Sequence, residues 1–213
     1  MVLLLLTQLL NSLAFTIGAV LCSVLIGSWM GYVFSKHRFR YKEILFIVLI
    51  AGTFLPYTTI IFPLFRTMGT LGLVGSIPGM VFVHTVYGIP ICTLLFRNFY
   101  THIPNDRIER ARKKGASDWE IYRKIILPAS KPAIISVMIY QFTSIWNDFL
   151  FGLVLGGAES QAMPVTVALF GMKSGFFRWN LLMASAIIVI LPLLVTYVLL
   201  HRYFVMAVVE EES

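Results

Sequence analysis

The sequence predicts an all-α protein of the membrane: a polytopic helical bundle with five transmembrane helices and a charged helix–turn–helix loop between the third and the fourth. Three observations predict it. Hydrophobic residues make up 58% of the chain and charged residues 13%, with a mean hydropathy of +0.84, whereas charged residues alone are about a quarter of an ordinary soluble domain. The apolar residues fall into runs of about 20, the length at which a helix crosses the hydrocarbon core. The basic residues, which set a net charge of +7, collect between those runs instead of covering a soluble face. That distribution excludes nucleic acid as the partner and points to lipid.

Each element follows in order. The first run, Leu10–Phe34, is preceded by the apolar Met1–Leu10. With no basic residue before Lys36 and no small-residue cleavage site, it reads as a span with an interfacial lead-in, not a secretory signal. The second run is Ile44–Phe65, the third Ile77–Phe96, the fourth Ala133–Leu155 and the fifth Leu181–Tyr203. Backbone in lipid must satisfy its own hydrogen bonds, so each run is read as a helix. Gly52, Pro56, Pro63, Pro78, Pro90 and Pro192 interrupt them. Such breaks are tolerated beside neighbouring helices or a wet cavity, and they suit a pathway that moves.

Orientation follows from charge. On these boundaries fourteen of the 17 basic residues fall on one side: Lys36, Arg38, Arg40 and Lys42 in the first loop; Arg97, Arg107, Arg110, Arg112, Lys113, Lys114, Arg123, Lys124 and Lys131 around the third; and Arg202 at the end. Only Arg66, Lys173 and Arg178 fall on the other. The asymmetry places the third loop and the C-terminus in the cytoplasm and Met1 outside. Cys22 and Cys92 lie in apolar runs, and His37, His84, His102 and His201 share no ligand spacing, so neither a disulfide nor a metal site is expected.

The third loop carries the strongest local signals. Pro104 suits a helix's first turn, and Asp106 and Glu109 place acids near the positive end of its dipole. Asp106–Arg110 and Glu109–Lys113 are acid-then-base pairs at i, i+4, and Gly115 follows as a left-handed cap would require. The chain restarts on Ser117-Asp118-Trp119-Glu120, a capping box, and runs to the breaker Pro128. Two short helices are thus predicted to meet over Gly115. Trp119, Tyr122 and Ile126 sit on the second at helical spacing, either to bury against the membrane domain or to form a knob for a partner.

This pattern resembles the cytoplasmic loop, named for its Glu-Ala-Ala signature, of the integral-membrane permease subunits of binding-protein-dependent ABC importers. Glu109, Ala111, Gly115, Ala116 and Ser117 match its first half, and Ile125, Leu127 and Pro128 its second, with no gap in spacing. Arg110 and Lys114 depart from it by adding positive charge. Leu94–Tyr100, Trp146-Asn147-Asp148-Phe149, Met163-Pro164-Val165, Ile190-Leu191-Pro192 and Arg202–Val205 are similar to the carbohydrate, maltose/sn-glycerol-3-phosphate type of these permeases. The resemblance implies a single transmembrane domain over residues 1–213 with an ATPase-docking loop at 98–132. The docking residues would be Glu109, Ala111, Gly115, Ala116, Ser117, Trp119, Tyr122, Ile125, Leu127 and Pro128. It implies as partners a second homologous permease, two cytoplasmic ATPase subunits and an extracytoplasmic solute-binding protein, all at a prokaryotic cell membrane. Such permeases normally have six spans, and this chain starts near what would be their second. Its acidic tail, Glu210-Glu211-Glu212, departs from their usual ending.

The chain carries no phosphate-binding glycine loop, since Lys173-Ser174 lacks the glycines before it, so ATP hydrolysis belongs to other subunits and no cofactor is expected. Asp148 is an acid inside or beside a span, where burial is expensive; it either caps a helix break or faces the pathway. Gln141, Thr143, Ser144, Asn147 and Asp148 form the expected substrate-pathway set. Three rivals remain: a permease for amino acids, phosphate or peptides, which would share the loop; an ion-driven secondary transporter, which would show internal repeats; and an intramembrane enzyme, which would pair a nucleophile with a base. Neither of the last two patterns is evident.

Overall fold

The computed structural model describes the backbone of residues 2–156, 162–171 and 179–209, and side chains within 5–156, 162–171 and 183–198. Every regular element among them is helical. Lys173, Arg178 and the acidic tail Glu210–Glu212 lie outside the described residues, as do the side chains of Trp179, Arg202 and Tyr203.

Helix α1 runs unbroken from Val2 to Lys36. It therefore absorbs the apolar stretch expected as an interfacial lead-in, because nothing in Val2–Leu10 breaks a helix. The second predicted span is instead two helices. α2 (Lys42–Ala51) tightens into a 3₁₀ turn at Gly52–Phe54, and α3 (Tyr57–Thr70) leaves it at 95°. Pro56 causes the corner. Its ring drives Leu55 out of the helical region, to ψ 122°, and its own fixed φ then starts α3.

Helix α4 (Ile77–His102) is capped by Ser76, whose hydroxyl accepts from Gly79 N–H at 3.1 Å, and it continues through Pro90. α1 and α4 form the centre of the bundle. A Cβ added at Gly31 would stand 2.6 Å from Phe96 Cβ, and one added at Gly27 would clash with Cys92, so the two backbones nearly touch. In lipid, where apolar burial drives little helix association, small residues that admit such an approach do the packing. The contacts Gly18–Val81, Gly27–Cys92 and Gly31–Phe96 advance along both helices together. α1 and α4 are therefore parallel, and the basic segments after Lys36 and after His102 emerge at the same end.

Beyond α4 come α5 (Asn105–Lys113) and α6 (Asp118–Ile121), which passes through a π-helical turn (Tyr122–Ile126) into α7 (Leu127–Ala129). α8 (Lys131–Trp146) departs at 80°. It ends on Asn147, so the predicted fourth span Ala133–Leu155 is interrupted there before a second π turn at Gly152–Gly156. α9 (Val165–Gly171) and α10 (Trp179–Val209) complete the chain. Ser12 of α1 accepts from Val165 N–H at 2.9 Å, and the Trp146 indole donates to Val189 O at 3.1 Å. Among the described residues two helices, α1 and α4, are long and apolar enough to cross a membrane, or four if each bent pair is one span; Met183–Val198 of α10 is a shorter apolar stretch.

Candidate functional site

Two features at different heights carry the polar chemistry. The first is the charged loop. Lys36, at the end of α1, donates to Ile103 O at 2.6 Å and to Asn105 Oδ1 at 2.9 Å, which fastens the loop's start. α5 buries Ile108 and exposes Glu109, Arg110, Lys113 and Lys114. Gly115 then takes φ +82°, with nothing beyond its chain neighbours within 4 Å of where a Cβ would stand. The turn there is a matter of backbone conformation alone, since side chains other than glycine's resist φ > 0.

The capping box expected from the sequence is formed: Ser117 Oγ accepts from Glu120 N–H, and the Glu120 carboxylate accepts from Ser117 N–H at 3.1 Å. The Lys124 ammonium, 3.0 Å away, is the main cause that holds the Glu120 carboxyl below its ordinary pKa, with the Ser117 backbone next. This contribution to the cap is present above the ordinary carboxylate range and lost as pH falls through the lowered value. Across the turn, Asp118 Oδ1 accepts from Arg112 at 3.1 Å and from the Tyr32 hydroxyl at 3.3 Å, with His37 Nε2 at 3.5 Å.

The face predicted from Trp119, Tyr122 and Ile126 is divided between burial and exposure. Tyr122 and Ile126 are buried, at 3% and 0% exposure, while Trp119 is 57% exposed. Tyr122 reaches the bundle through a hydroxyl triad. Ser28 Oγ of α1 lies 2.6 Å from Tyr100 OH of α4 and 2.8 Å from Tyr122 OH. Trp29 stands edge-on to Tyr122, centroids 4.9 Å apart, and also meets Trp119. Of the expected docking residues, Glu109, Gly115, Ser117, Trp119 and Pro128 face outward, Ala111, Ala116, Ile125 and Leu127 are half-buried, and Tyr122 anchors. Removing the Tyr122 hydroxyl (Tyr122→Phe) should cost about 1 kcal/mol of stability, and Ser28→Ala about twice that, since each hydrogen bond contributes roughly 1 kcal/mol net. Thermal unfolding of the purified protein checks both.

The second feature is a cavity of about 630 Å³ between α4, α8 and the α2–α3 corner. Gln141, Ser144, Asn147 and Asp148 of the expected pathway set line it. Thr143 does not; its hydroxyl donates to Ile139 O at 2.9 Å. Facing them are His84, Tyr87, Gly88 and Ile91 of α4 and Thr53, Phe54 and Tyr57 of the corner. Reading the sequence for an apolar span missed these residues. The spacing of His84, Gly88 and Ile91, one face at i, i+4 and i+7, is the signal that could have found them.

Asp148 caps the break and also borders the cavity. Its Oδ2 accepts from Gly152 N–H at 3.1 Å, capping the stretch after the break, and its carboxylate lines the cavity. His84 Nε2 stands 3.9 Å from the same oxygen. The imidazole lies between Phe15, nearly parallel with centroids 5.7 Å apart, and the edge of Phe151. Gln141 packs on Gly88 so closely that a Cβ there would displace it. Amide, hydroxyl, imidazole and carboxylate groups among aromatic rings can hold a polar, hydroxyl-bearing solute. Among the described residues no group of three or more His, Cys, Asp or Glu side chains could hold a metal.

Residues 23–209 match the family described as binding-protein-dependent transport system inner membrane component. The chain is 47% identical over 169 residues to a probable ABC transporter permease protein of Pyrococcus horikoshii, covering 79% of this chain and 61% of that one. It is 36% identical to a xylose/arabinose import permease protein of Haloferax volcanii, over 91% of this chain and 70% of the other. The chain thus spans between three fifths and three quarters of the length of these two relatives. Among solved structures it resembles a bacterial ABC transporter that imports the acidic polysaccharide alginate, with a TM-score of 0.78 and 25% identity over 94% of this chain and 75% of the other. An inward-facing methionine ABC transporter shares the fold, with a TM-score of 0.75 and 17% identity over 96% of each chain.

Proposed function

The chain belongs to the family of binding-protein-dependent transport system inner membrane components, and on that footing we propose that it forms half of the solute pathway of an ATP-driven importer for a sugar. It is a transport subunit and not an enzyme. The single observation that carries the reading is the cavity, where Gln141, Ser144, Asn147 and Asp148 face His84, Tyr57 and Tyr87. Donors, acceptors and aromatic faces mixed in this way suit a neutral polyhydroxylated solute, and the xylose/arabinose relative favours the same class. The exposed Phe54, 81% accessible, gives the cavity an open side for a second homologous permease to close.

In this reading residues 1–213 form one transmembrane domain of five spans in the cell membrane, with the bent α2–α3 pair counted as one span, the fourth span starting only at Ala133 and the C-terminus cytoplasmic. Residues 98–132 dock on a cytoplasmic ATPase, the importer having two such subunits, and an extracytoplasmic binding protein delivers the solute. Closure of the ATPases moves the Glu109–Pro128 segment, and the parallel α1 and α4, held to it by Lys36 and the Ser28 triad, carry that displacement towards the cavity.

The test is uptake by the assembled transporter in proteoliposomes, offered labelled D-xylose, L-arabinose, D-glucose, maltose, L-methionine and phosphate with ATP inside the cytoplasmic face. ATP-dependent accumulation of one or more of the four sugars is expected. Accumulation of methionine or phosphate alone would transfer the chain to another solute class, and sugar uptake driven by an ion gradient without ATP would make it a secondary transporter.

A further inference from the structure

We propose that the turn Arg38–Lys42, between α1 and α2, is a binding site for the headgroup of an anionic phospholipid. The inference goes beyond the transport reading and takes from it only that the turn lies at the cytoplasmic face of a bilayer.

The turn opens a surface cavity of about 470 Å³ lined by Arg38, Phe39, Tyr41, Lys42, Glu43 and Ile44. Its lining carries two basic residues, Arg38 and Lys42, and one acid. The one acid there, Glu43, is already held by Arg97, whose Nη2 donates to both carboxylate oxygens at 2.8 and 2.7 Å. Lys36, which precedes the turn, is committed to Ile103 and Asn105. Arg38 and Lys42 line the site, Lys42 also donating to Ser35 O at 3.4 Å, and Arg40 stands exposed at its edge over the lining Tyr41, so three basic residues gather around one acid that is already paired. The Arg40 guanidinium is stacked 5.0 Å over the Tyr41 ring, which pre-sets its plane for a forked contact with phosphate.

The backbone is also shaped for display. Tyr41 holds φ +67°, a left-handed conformation that a bulky residue seldom adopts. Residues in such regions persist where the surroundings impose them, and they cluster at ligand clamps. Here the conformation leaves the phenol ring exposed beside Phe39.

What lies next to the turn selects lipid over a protein partner. α2 rises directly from it with Ile44, Leu45, Ile47 and Val48 all exposed, an aliphatic strip continuous with the cationic turn. Aromatic side chains at the junction of a basic and an aliphatic surface mark the headgroup level of a membrane, and basic clusters at the cytoplasmic end of a span attract anionic lipid. Residues 36 and 37 face the other way, towards Asn105 and Asp118 of the charged loop.

The experiment is native mass spectrometry of the full chain, purified with whatever subunits accompany it and titrated with phosphatidylglycerol, phosphatidylcholine or free glycerol phosphate. The wild type should retain phosphatidylglycerol and not phosphatidylcholine. Arg40→Gln should weaken that retention about five-fold and the Arg38→Gln/Arg40→Gln pair about twenty-five-fold, from roughly 1 kcal/mol per basic residue at a lipid surface. Because Arg40 is exposed and stacks on the exposed Tyr41, the single variant tests the site even if the pair does not fold. Arg66→Gln and Arg107→Gln, which remove charge elsewhere, should leave retention unchanged. Three results would overturn the proposal: retention unaltered in Arg40→Gln, displacement of the lipid by equimolar glycerol phosphate, or loss of an accompanying ATPase subunit from the pair while lipid retention stays intact.

Discussion

Gly115→Val should abolish association with the ATPase subunits and reduce uptake by more than ten-fold while leaving the bundle folded. The expectation rests on φ alone. At +82°, with no atom near the space a side chain would enter, Gly115 has room for valine but not the conformation. Forcing a β-branched residue into the left-handed region costs roughly 1–3 kcal/mol, and every 1.4 kcal/mol is a ten-fold loss of the turn that sets α5 against α6. The strain falls on a loop whose ends are anchored at Lys36 and Tyr122, so the loop yields before the bundle does. Gly115→Asn is the control, because asparagine tolerates the left-handed region; it should keep most of the association. Pull-down of the ATPase and uptake, measured on the same preparations, separate these outcomes.

Asp148→Ala should lower uptake by about ten-fold to a hundred-fold without loss of ATPase association. Two roles end together: the acceptor for Gly152 N–H and the carboxylate that faces the cavity near His84. Losing a hydrogen bond to a charged group costs about 1.5–3 kcal/mol, which sets the range. Asp148→Asn distinguishes the roles. Its amide oxygen can still cap Gly152, so a variant that folds like wild type yet still transports poorly assigns the defect to the missing charge. Equal transport by Asp148→Ala and wild type would remove Asp148 from the pathway.

Sequence and structure part where long-range geometry intervenes. The apolar runs predicted helices because lipid leaves the backbone no alternative, and α1 and α4 follow those runs closely. Gly52 and Pro56 were readable as a break but not as a 95° corner, since the angle depends on what α2 and α3 pack against. The loop's caps were legible because they are local: Gly115, Ser117 and Glu120 act on neighbours within a few residues. The π turn at Tyr122–Ile126 was not; its first residue, Tyr122, is bonded through its hydroxyl to Ser28, 94 positions away, a contact no local pattern announces. Trp119 and Tyr122 share a spacing that suggested one fate, and distant partners on α1, Ser28, Trp29 and Tyr32, bury the second ring. The cavity was half legible. An acid at Asp148 drew notice in an apolar run, whereas His84 and Gly88 acquire meaning only when α4 faces α8.

The central claim is that the Glu109–Pro128 segment is the surface on which an ATPase acts. Trp119, exposed on that segment and held from behind by Trp29, is the place to ask. With Trp119 replaced by the photo-crosslinking residue p-benzoylphenylalanine, illumination of the assembled transporter should yield a covalent product containing the ATPase subunit, and docking-deficient Gly115→Val should remove it. A product with the extracytoplasmic binding protein, or with lipid and no ATPase, would contradict the account.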